Sequence, residues 1–248
     1  MQAETPASDL PSANKAALVL GIYLLDRLNT AEMTIEELGR SREWSVDQQW
    51  LGLGSSAVPD ALAAVTLRKV EDRVPKFILL NQMLAATPLG KYDYIIVCDD
   101  DVHLPSGFLD DYLRVVEHYG LAVCQPARTH DSYIDHPFVE QLDGLTARWT
   151  QFVEIGPVFS IRRDAAKVIL PFDERSPMGW GYDFVWGRDL CEAGLKMGVV
   201  DATPVAHSLR KPVAEYSWHA ANDQMQSFLR ARPHLSKREA FFIIESYA

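Results

Sequence analysis

Positive charge is scarce in this sequence. Lys and Arg number 24 against 34 Asp and Glu, which gives a formal net charge of −10 at pH 7. A protein that binds nucleic acid needs a basic surface to neutralise phosphates, so we expect no nucleic-acid partner. Phosphorylated small molecules are not excluded, because a bound divalent cation can dominate the local charge of an acidic site.

Cysteines are also few. Cys98, Cys124 and Cys191 are isolated and form no CxxC spacing, which argues against a disulfide framework or a zinc site. Cys98 and Cys124 lie within apolar runs, so we predict that both are small core residues. This cysteine usage fits a reducing compartment, and we expect a cytoplasmic protein.

Long hydrophobic runs are missing as well. The apolar run at 16–25 has about ten residues, whereas a transmembrane helix needs about 20. Residues 1–15 are polar and lack a basic region followed by an apolar one, so we interpret them as a flexible N-terminal segment and not as a signal peptide. We therefore expect any membrane contact to be peripheral, at the inner face of the membrane.

Strand-like and helix-like patterns alternate along the rest of the chain. The predicted strands are 17–25, 45–53, 92–98, 121–125, 152–161 and 196–200, with a strand or short helix at 61–70. The predicted helices are 30–40, 75–86, 105–119, 163–170 and 183–193. This alternation predicts a single α/β domain, Rossmann-like, with a mostly parallel central sheet flanked by helices.

Domain boundaries follow from the same patterns. Residues 16–215 are expected to form the main domain, and 216–248 a C-terminal helical appendage. The apolar run AFFII near the C-terminus would dock on the core, form a dimer contact or lie against a membrane. In the helix at 30–40, Thr34 and Glu37 have the spacing of a capping box, so Thr34 is the predicted N-cap.

Three consecutive carboxylates, Asp99, Asp100 and Asp101, follow the buried run YIIVC. Ligands of open α/β sheets bind at the carboxyl ends of strands. Adjacent carboxylates repel one another, and a divalent cation removes that repulsion; hard oxygen ligands suit Mn²⁺ or Mg²⁺ bound to a diphosphate. Because alternate residues of an extended segment point the same way, Asp99 and Asp101 can share one ligand. The alternative interpretation is a solvated turn.

A strand that ends in such a triplet resembles the DxD signature of GT-A glycosyltransferases. The chain is also similar to a glycosyltransferase-like family of plants and bacteria that is catalogued as a domain of unknown function. The similar segments span 92–210 and are YDYIIVCDDDV, GLAVCQPA, FVEIGPVFS, GWGYDFVWGRDL and GVVDATPVAH. The resemblance implies a GT-A fold and a nucleotide-sugar donor, with Asp101 as metal ligand. Asp99 is the likelier nucleotide contact, with a share in the metal, and the role of Asp100 within the nucleotide site is left open.

The segment Gly179-Trp180-Gly181-Tyr182-Asp183 is the second candidate. Its glycines allow a tight loop that approaches a ligand closely, and Trp180 with Gly181 would contact a sugar. The segment resembles the acceptor-side loop of GT-A enzymes, which implies that Asp183 is the general base. As alternatives, Asp183 is only a helix N-cap, or Asp173 or Glu174 is the base.

Further candidates complete the predicted site. The resemblance implies that His207 is a metal ligand, and imidazole is an acceptable ligand of Mn²⁺. Glu154 is a carboxylate within a predicted strand, so it is expected to bind sugar hydroxyls or to pair with Arg162 or Arg163. His130, His136, His219 and His234 are interpreted as surface or loop residues.

Two pairs of charged residues are assigned to the nucleotide. Asp26 and Arg27 follow the first buried strand, where a nucleotide base would be held, although this placement rests on fold analogy. Arg210 and Lys211 lie just beyond His207, where they would neutralise a diphosphate or simply be solvated.

These residues predict a metal-dependent transfer of a sugar from a UDP- or GDP-sugar to a glycan or lipid-linked acceptor. Inversion at the anomeric carbon is slightly favoured, because Asp183 as a base implies direct attack by the acceptor. The alternative is a non-catalytic nucleotide-sugar or carbohydrate-binding protein on the same scaffold. A nucleotidyltransferase or phosphatase ranks lower, because GIYLLDRLNT supplies no Gly-rich or basic phosphate loop. A homodimer is left open.

Overall fold

The computed structural model describes residues 15–210 and 217–248. The strands are β1 (Ala16–Leu24), β2 (Ser45–Leu53), β3 (Thr66–Val70), β4 (Tyr94–Asp99), β5 (Leu121–Arg128), β6 (Ala147–Thr150), β7 (Val158–Arg162), β8 (Lys196–Val205) and β9 (Ile243–Tyr247). The helices are α1 (Ala31–Leu38), α2 (Lys76–Ala85), α3 (Phe108–Tyr119), α4 (Arg163–Ile169), α5 (Tyr182–Glu192), α6 (Trp218–Arg230) and α7 (Lys237–Ala240).

All nine strands join one mixed sheet in the order β3-β2-β1-β4-β7-β5-β8-β6-β9. The first four strands in this order are parallel to one another, and β5 is parallel to β8. The remaining pairings are antiparallel: β7 pairs with β4 and β5, and β6 pairs with β8 and β9. The predicted α/β fold with a central sheet flanked by helices is confirmed.

The sheet carries a hydrophobic layer on each face. Leu18 and Leu20 of β1 belong to one layer, whereas Ala17 and Val19 belong to the other, as the alternation of a strand buried on both faces requires. Trp50 lies so close to β1 that a Cβ at Gly21 would stand 2.1 Å from its ring. β1 is therefore closely packed on both faces, at the centre of the parallel part of the sheet.

Two predicted core residues and one predicted cap have clear outcomes. Cys98 and Cys124 are buried free thiols, as expected. The prediction that Thr34 caps α1 is wrong, because the helix begins at Ala31 and Thr30 is its N-cap residue. Thr34 lies inside the helix, where its hydroxyl donates to the carbonyl oxygen of Val102 at 3.1 Å.

The least accurate predictions concern short strands. Within the predicted strand 152–161 only Val158–Arg162 is a strand, and the long connection after β5 contains β6. The C-terminal region contains the helices α6 and α7 and ends in β9, which pairs with β6 at the edge of the sheet. Part of the AFFII run therefore lies against the core. Among residues 15–210 and 217–248, no helix is long and apolar enough to span a membrane.

Candidate functional site

The Asp triplet lies where β4 ends beside the end of β1. Asp99 is in register with Ile22 of β1, so the carboxylates emerge next to the loop that follows β1. Thr30 holds this turn in place, because its hydroxyl donates to the carbonyl oxygens of Asp100 at 3.0 Å and Val102 at 2.8 Å. The start of α1 thus fixes the backbone from which the carboxylates project.

Asp99 points to a different partner from the other two carboxylates. Its Oδ1 accepts a 2.5 Å hydrogen bond from Nζ of Lys76, at the start of α2. Gly156 lies beside this pair, since a Cβ there would stand 3.3 Å from Oδ2 of Asp99. The extended backbone ends at Asp99, so the alternation that would place Asp99 and Asp101 on one ligand does not continue. Asp99 pairs with Lys76, whereas Asp101 pairs with His207 and Arg210.

Asp100 is the most buried of the three, with 3% of its surface exposed. Its Oδ2 accepts a 2.7 Å hydrogen bond from the backbone N–H of Leu24, and its carboxylate pairs with the guanidinium of Arg210. Burial raises the pKa of Asp100 above its usual range, although Arg210 opposes the shift. Asp100 therefore ties the end of β1 to the segment that contains Arg210.

Asp101 faces His207, with 3.3 Å between Oδ2 and the imidazole Nε2. Arg210 also reaches it, with Nη2 at 3.0 Å from Oδ2. Burial alone would raise the pKa of Asp101, but hydrogen bonds and charge from His207 and Arg210 outweigh it and lower the pKa. The structure thus brings together two of the three residues predicted to hold a metal, Asp101 and His207, whereas the third, Asp99, pairs with Lys76.

The donor set at this point is one carboxylate and one imidazole. In the described part of the chain, no group of three or more His, Cys, Asp or Glu side chains is arranged to hold a metal. Two protein ligands nevertheless suit a hard cation that takes further oxygens from a substrate diphosphate and water. The guanidinium of Arg210 is the positive charge that Asp100 and Asp101 share. Lys211 lies outside the described residues.

A second group of charged side chains surrounds Glu154. Its Oε2 lies 3.1 Å from Nη2 of Arg128, and its Oε1 lies 3.2 Å from Nδ1 of His136. The predicted pairing with Arg162 or Arg163 is wrong, since those residues pair with Asp164 and Asp93. Although burial raises the pKa of Glu154, the hydrogen bond from His136 and the charge of Arg128 lower it overall.

Arg128 is fully buried at the end of β5. One of its terminal nitrogens donates to Glu154 and to the carbonyl oxygen of Gly156, whereas Nε and Nη1 find no hydrogen-bond partner among the described residues. Buried donors are rarely left unpaired. Arg128 therefore retains hydrogen-bonding capacity next to Glu154, in a position that sequence reasoning did not identify.

Asp183 is the second residue of α5, and Gly181, with φ of 92°, is the residue that precedes the helix. The interpretation of Asp183 as an N-cap is therefore wrong. Its carboxyl is buried, and its Oδ1 accepts a 3.1 Å hydrogen bond from the backbone N–H of Phe184. Burial raises the pKa of Asp183 to about 7, a shift that the charge of His136 opposes and the charge of Glu154 increases.

The two rival bases are occupied by other groups. Asp173 pairs with Arg175 and with Arg232, and these contacts lower its pKa to about 2. Glu174 accepts a 3.1 Å hydrogen bond from the amide of Asn81. Asp183 is the candidate whose pKa lies near neutrality, as a general base requires.

The glycine-rich loop before α5 is packed tightly on both sides. At Gly179, with φ of 83°, a Cβ would lie 2.2 Å from the ring of Phe77 and 2.6 Å from Ile155. These neighbours adjoin Lys76 and Gly156, the residues beside Asp99. Between the glycines, Trp180 meets Trp218 of α6 edge to face, with ring centroids 6.1 Å apart. The loop thus connects the Asp99 side of the site to α6.

Asp26 and Arg27 lie in the exposed turn after β1. Asp26 accepts hydrogen bonds from the backbone N–H groups of Ser55 and Ser56 at 2.7 Å and 2.9 Å. The side chain of Ser56, followed by these N–H groups, lowers the pKa of Asp26. Asp26 therefore organises the loop after β2. A cavity of about 240 Å³ opens beside this turn, lined by Tyr23, Leu25, Asn29, Thr30, Glu32, Met33, Pro59 and Leu62.

His136 lies in a loop, which is one of the two predicted alternatives. Its side chain is nevertheless only 25% exposed, and its ring packs against Phe152 and Phe241. The long polar connection in which it lies was the one available signal. Lys76 was also missed. It is the first residue of a helix that follows a parallel strand, and such a helix begins near the carboxyl ends of the strands, where the site lies.

Known proteins resemble this chain in structure but not detectably in sequence. No family model and no curated protein matches the sequence. The resemblance to the plant and bacterial family of unknown function therefore stays a prediction.

Several solved structures match the fold. GalNAc-T7 with UDP, GalNAc and Mn²⁺ superposes with a TM-score of 0.55 and 10% identity over 87% of this chain and 48% of that one. TarS of S. aureus in complex with UDP-GlcNAc gives 0.56 and 12% over 86% and 65%. Glucosyl-3-phosphoglycerate synthase from Mycobacterium tuberculosis, in complex with Mn²⁺, UDP and phosphoglyceric acid, gives 0.56 and 17% over 91% and 81%.

These matches span only part of two of the neighbouring chains. The chain covers less than two thirds of GalNAc-T7 and of the TarS fragment, at 48% and 65% of their lengths. Identities of 10–17% speak for shared architecture and leave the chemistry to the site itself. The chain has the fold of the GT-A glycosyltransferases.

Proposed function

We propose that this protein is a metal-dependent glycosyltransferase that moves a sugar from a nucleoside-diphosphate sugar to a hydroxyl group. The observation that carries the proposal is the meeting of Asp101 and His207 at the carboxyl end of β4, with 3.3 Å between carboxylate and imidazole. Ligands of open α/β sheets bind just outside the carboxyl ends of the strands, which is where these two residues lie. The metal-binding role of both residues rests on this geometry.

Asp101 and His207 would hold Mn²⁺ or Mg²⁺, and the metal would act as a Lewis acid on the leaving diphosphate. Asp99 is proposed to contact the nucleotide and not to ligate the metal, because its carboxylate is paired with Lys76. Arg210 has a planar guanidinium that suits phosphate oxygens. It already lies at Asp100 and Asp101, so it is positioned to neutralise the diphosphate, a role that we also retain for Lys211.

The nucleoside is proposed to lie over the turn after β1. The cavity of about 240 Å³ is lined by residues of this turn, among them Tyr23 and Asn29. Asp26 and Arg27 lie between these two residues in the sequence. UDP-sugars are the donors to test first, because GalNAc-T7, TarS and glucosyl-3-phosphoglycerate synthase were each solved with UDP or a UDP-sugar. GDP-sugars follow.

On the acceptor side, Asp183 is proposed to take the proton of the attacking hydroxyl. A general base must lie within about 3 Å of that hydroxyl or act through one water. Direct attack opposite the leaving diphosphate inverts the anomeric carbon. Trp180, Gly181 and Glu154 are proposed to contact sugar, and the acceptor is proposed to be a glycan or a lipid-linked sugar.

Calorimetry tests the metal site. Wild-type protein is expected to bind UDP or GDP more tightly with Mn²⁺ than without it, and Asp101→Ala is expected to abolish that difference. Asp143→Ala, which removes an exposed carboxylate remote from the triplet in sequence, is the matched control and should leave binding unchanged. Metal-dependent binding that survives Asp101→Ala would contradict the assignment of Asp101.

Turnover tests the enzyme assignment separately. A working donor site hydrolyses a nucleotide-sugar slowly even without acceptor, so purified protein is expected to release UDP or GDP from its donor. Binding of a nucleotide-sugar with no hydrolysis and no transfer would favour the non-catalytic alternative. Determination of the product anomer by NMR would decide between inversion and retention.

A further inference from the structure

The surroundings of Asp183 contain one basic group that the proposed mechanism has not used. Asp183 is 6% exposed, and an ionised carboxylate that is buried without a cationic partner is costly. The positive charge that acts most strongly on it is that of His136, which belongs to the connection between β5 and β6. Glu154 is the negative charge that acts on it.

The position of His136 is fixed from several directions. Its Nδ1 lies 3.2 Å from Oε1 of Glu154, which Arg128 holds through its other oxygen at 3.1 Å. The ring packs against Phe152 at 5.1 Å and against Phe241 at 5.3 Å between centroids. A side chain held by a carboxylate on one edge and by two aromatic rings has little freedom to reorient.

Aromatic residues close to His136 and Asp183 in sequence pack against the same rings. Phe138 stacks on Phe241 with centroids 5.2 Å apart, and Phe184, the residue after Asp183, packs against Phe152 at 5.7 Å. The N–H of Leu235 donates to the carbonyl oxygen of Phe184 at 3.0 Å. The connection that carries His136, the start of α5 and the C-terminal region therefore pack together at Phe184, the residue that follows Asp183.

We propose that His136 is a positioning residue: Glu154 holds it as an imidazolium beside Asp183, and its charge keeps the Asp183 carboxylate ionised for the acceptor hydroxyl. This inference rests on the proposed function. It assigns a role to a residue whose partners are Glu154, Phe152 and Phe241, away from the Asp triplet. The imidazolium makes no net proton transfer in this scheme.

The chemical step balances without a further reactant. The acceptor oxygen forms a bond to the anomeric carbon of the donor, the bond from that carbon to the diphosphate oxygen breaks, and the diphosphate leaves with the electron pair. The hydroxyl proton passes to a carboxylate oxygen of Asp183. His136 keeps its proton throughout, and its charge favours the ionised carboxylate over the neutral acid before the proton arrives.

The charges around His136 support a protonated ring. Burial by itself lowers the pKa of His136, but the hydrogen bond and charge of Glu154, together with the charges of Asp183 and Asp135, raise it above the usual value. Arg128 lies on the far side of Glu154, and Lys237 lies over the ring of Phe241, 5.2 Å from its centroid. Three carboxyl groups thus outnumber the nearby cations.

An NMR titration tests the coupling without any turnover. The imidazole proton signals of His136 are followed against pH in wild type, Asp183→Asn and Asp131→Asn, the last being a matched loss of one carboxylate from the same connection. We expect Asp183→Asn to lower the pKa of His136 by about half a unit or more, since a nearby opposite charge shifts a pKa by that order. Asp131→Asn should leave it unchanged, and equal pKa values in all three proteins would overturn the proposal.

The pH profile of transfer supplies the second arm. We expect His136→Gln to move the acidic limb of the activity profile upward by about one pH unit, with most activity recovered at high pH. A purely structural role would instead reduce activity by the same factor at every pH, and that result would overturn the proposal. If no donor supports transfer at all, the proposed function fails while the NMR result still stands or falls by itself.

Discussion

The donor side and the acceptor side of this site are built in different ways. On the donor side, three consecutive carboxylates follow one buried strand, and Lys76, Arg210 and His207 partner them. On the acceptor side, Asp183, Glu154 and His136 come from separate segments and meet only through tertiary packing. The first arrangement satisfies its charges with direct ion pairs, and the second leaves one buried acid with a pKa of about 7.

The difference reflects two functions that carboxylates serve, metal binding and general base catalysis. Carboxylates that are to hold a cation are stable while they are already ionised and paired. A general base has to lose and gain a proton near neutral pH, which requires an environment that disfavours its charge. The following predictions test this contrast, in order of decreasing effect.

Removal of the acceptor-side acid should have the largest effect. We expect Asp183→Asn to lower the rate of transfer by about 10²–10⁴-fold, the usual contribution of general base catalysis. Donor binding measured by calorimetry should be unchanged, because Asp183 makes none of the donor-side contacts. Glu174→Gln, at the rival base, is the control and should retain activity; weakened donor binding in Asp183→Asn would break the separation between the two sides.

The pH dependence should come from the acceptor side as well. Asp183 has to be ionised to accept a proton, so activity should fall about tenfold per unit as the pH drops below about 7, the value to which burial raises its pKa. Because that pKa is higher in the folded than in the unfolded chain, ionisation of Asp183 also removes stability as the pH rises from about 4 to about 7. Asp183→Asn should therefore melt at a higher temperature than wild type at pH 8, and thermal unfolding at pH 5 and pH 8 measures this difference.

The donor side should respond to metal and not to pH. Arg210→Ala leaves Asp100 and Asp101 without their shared cation, so we expect a loss of about 1–2 kcal/mol in the free energy of unfolding, discounted for partial exposure of the pair. Added Mn²⁺ should restore part of this loss, because a ligand of the folded state raises its stability. Thermal unfolding with and without Mn²⁺ measures both effects, and Arg238→Ala on an exposed face of α7 is the control. A variant as stable as wild type would show that the ion pairs contribute nothing.

The smallest effect is expected at the aromatic pair. Trp218 is 52% exposed and meets Trp180 edge to face, so Trp218→Ala should raise KM for a carbohydrate acceptor several-fold, corresponding to about 1 kcal/mol of aromatic contact. Donor hydrolysis should not change. Phe242→Ala, at a residue that is 59% exposed on the edge of the sheet, provides the control, and equal effects of the two substitutions would remove Trp218 from the acceptor side.

The accuracy of the sequence analysis follows the same division. A continuous apolar run with β-branched and aromatic members predicts a buried strand, which is why β1, β4 and the position of the Asp triplet were found from the sequence. Even there, the direction of each carboxylate was not predictable, because the extended backbone ends at Asp99. The pairing of Asp99 with Lys76 depends on how α2 packs beside β4, and local sequence does not encode that contact.

The acceptor side was predicted less well for a physical reason. Burial of His136 depends on Phe241, and the position of Phe241 depends on the docking of the C-terminal region. β6 and β9 are short, and their edge pairing is decided by tertiary context more than by intrinsic preference. Asp183 was identified through the glycines that precede it, whereas its high pKa arises from burial that no local pattern reveals.

One consequence of the β6–β9 pairing concerns how acceptor preference can change. Because β9 continues directly from the segment that bears Phe241, the strand pair at the sheet edge sets where that ring stands against His136. Substitutions in either strand can therefore reshape the acceptor wall without altering any residue that meets the nucleotide. The sheet edge gives this protein a region in which recognition of the acceptor can diverge while the chemistry of the donor stays constant.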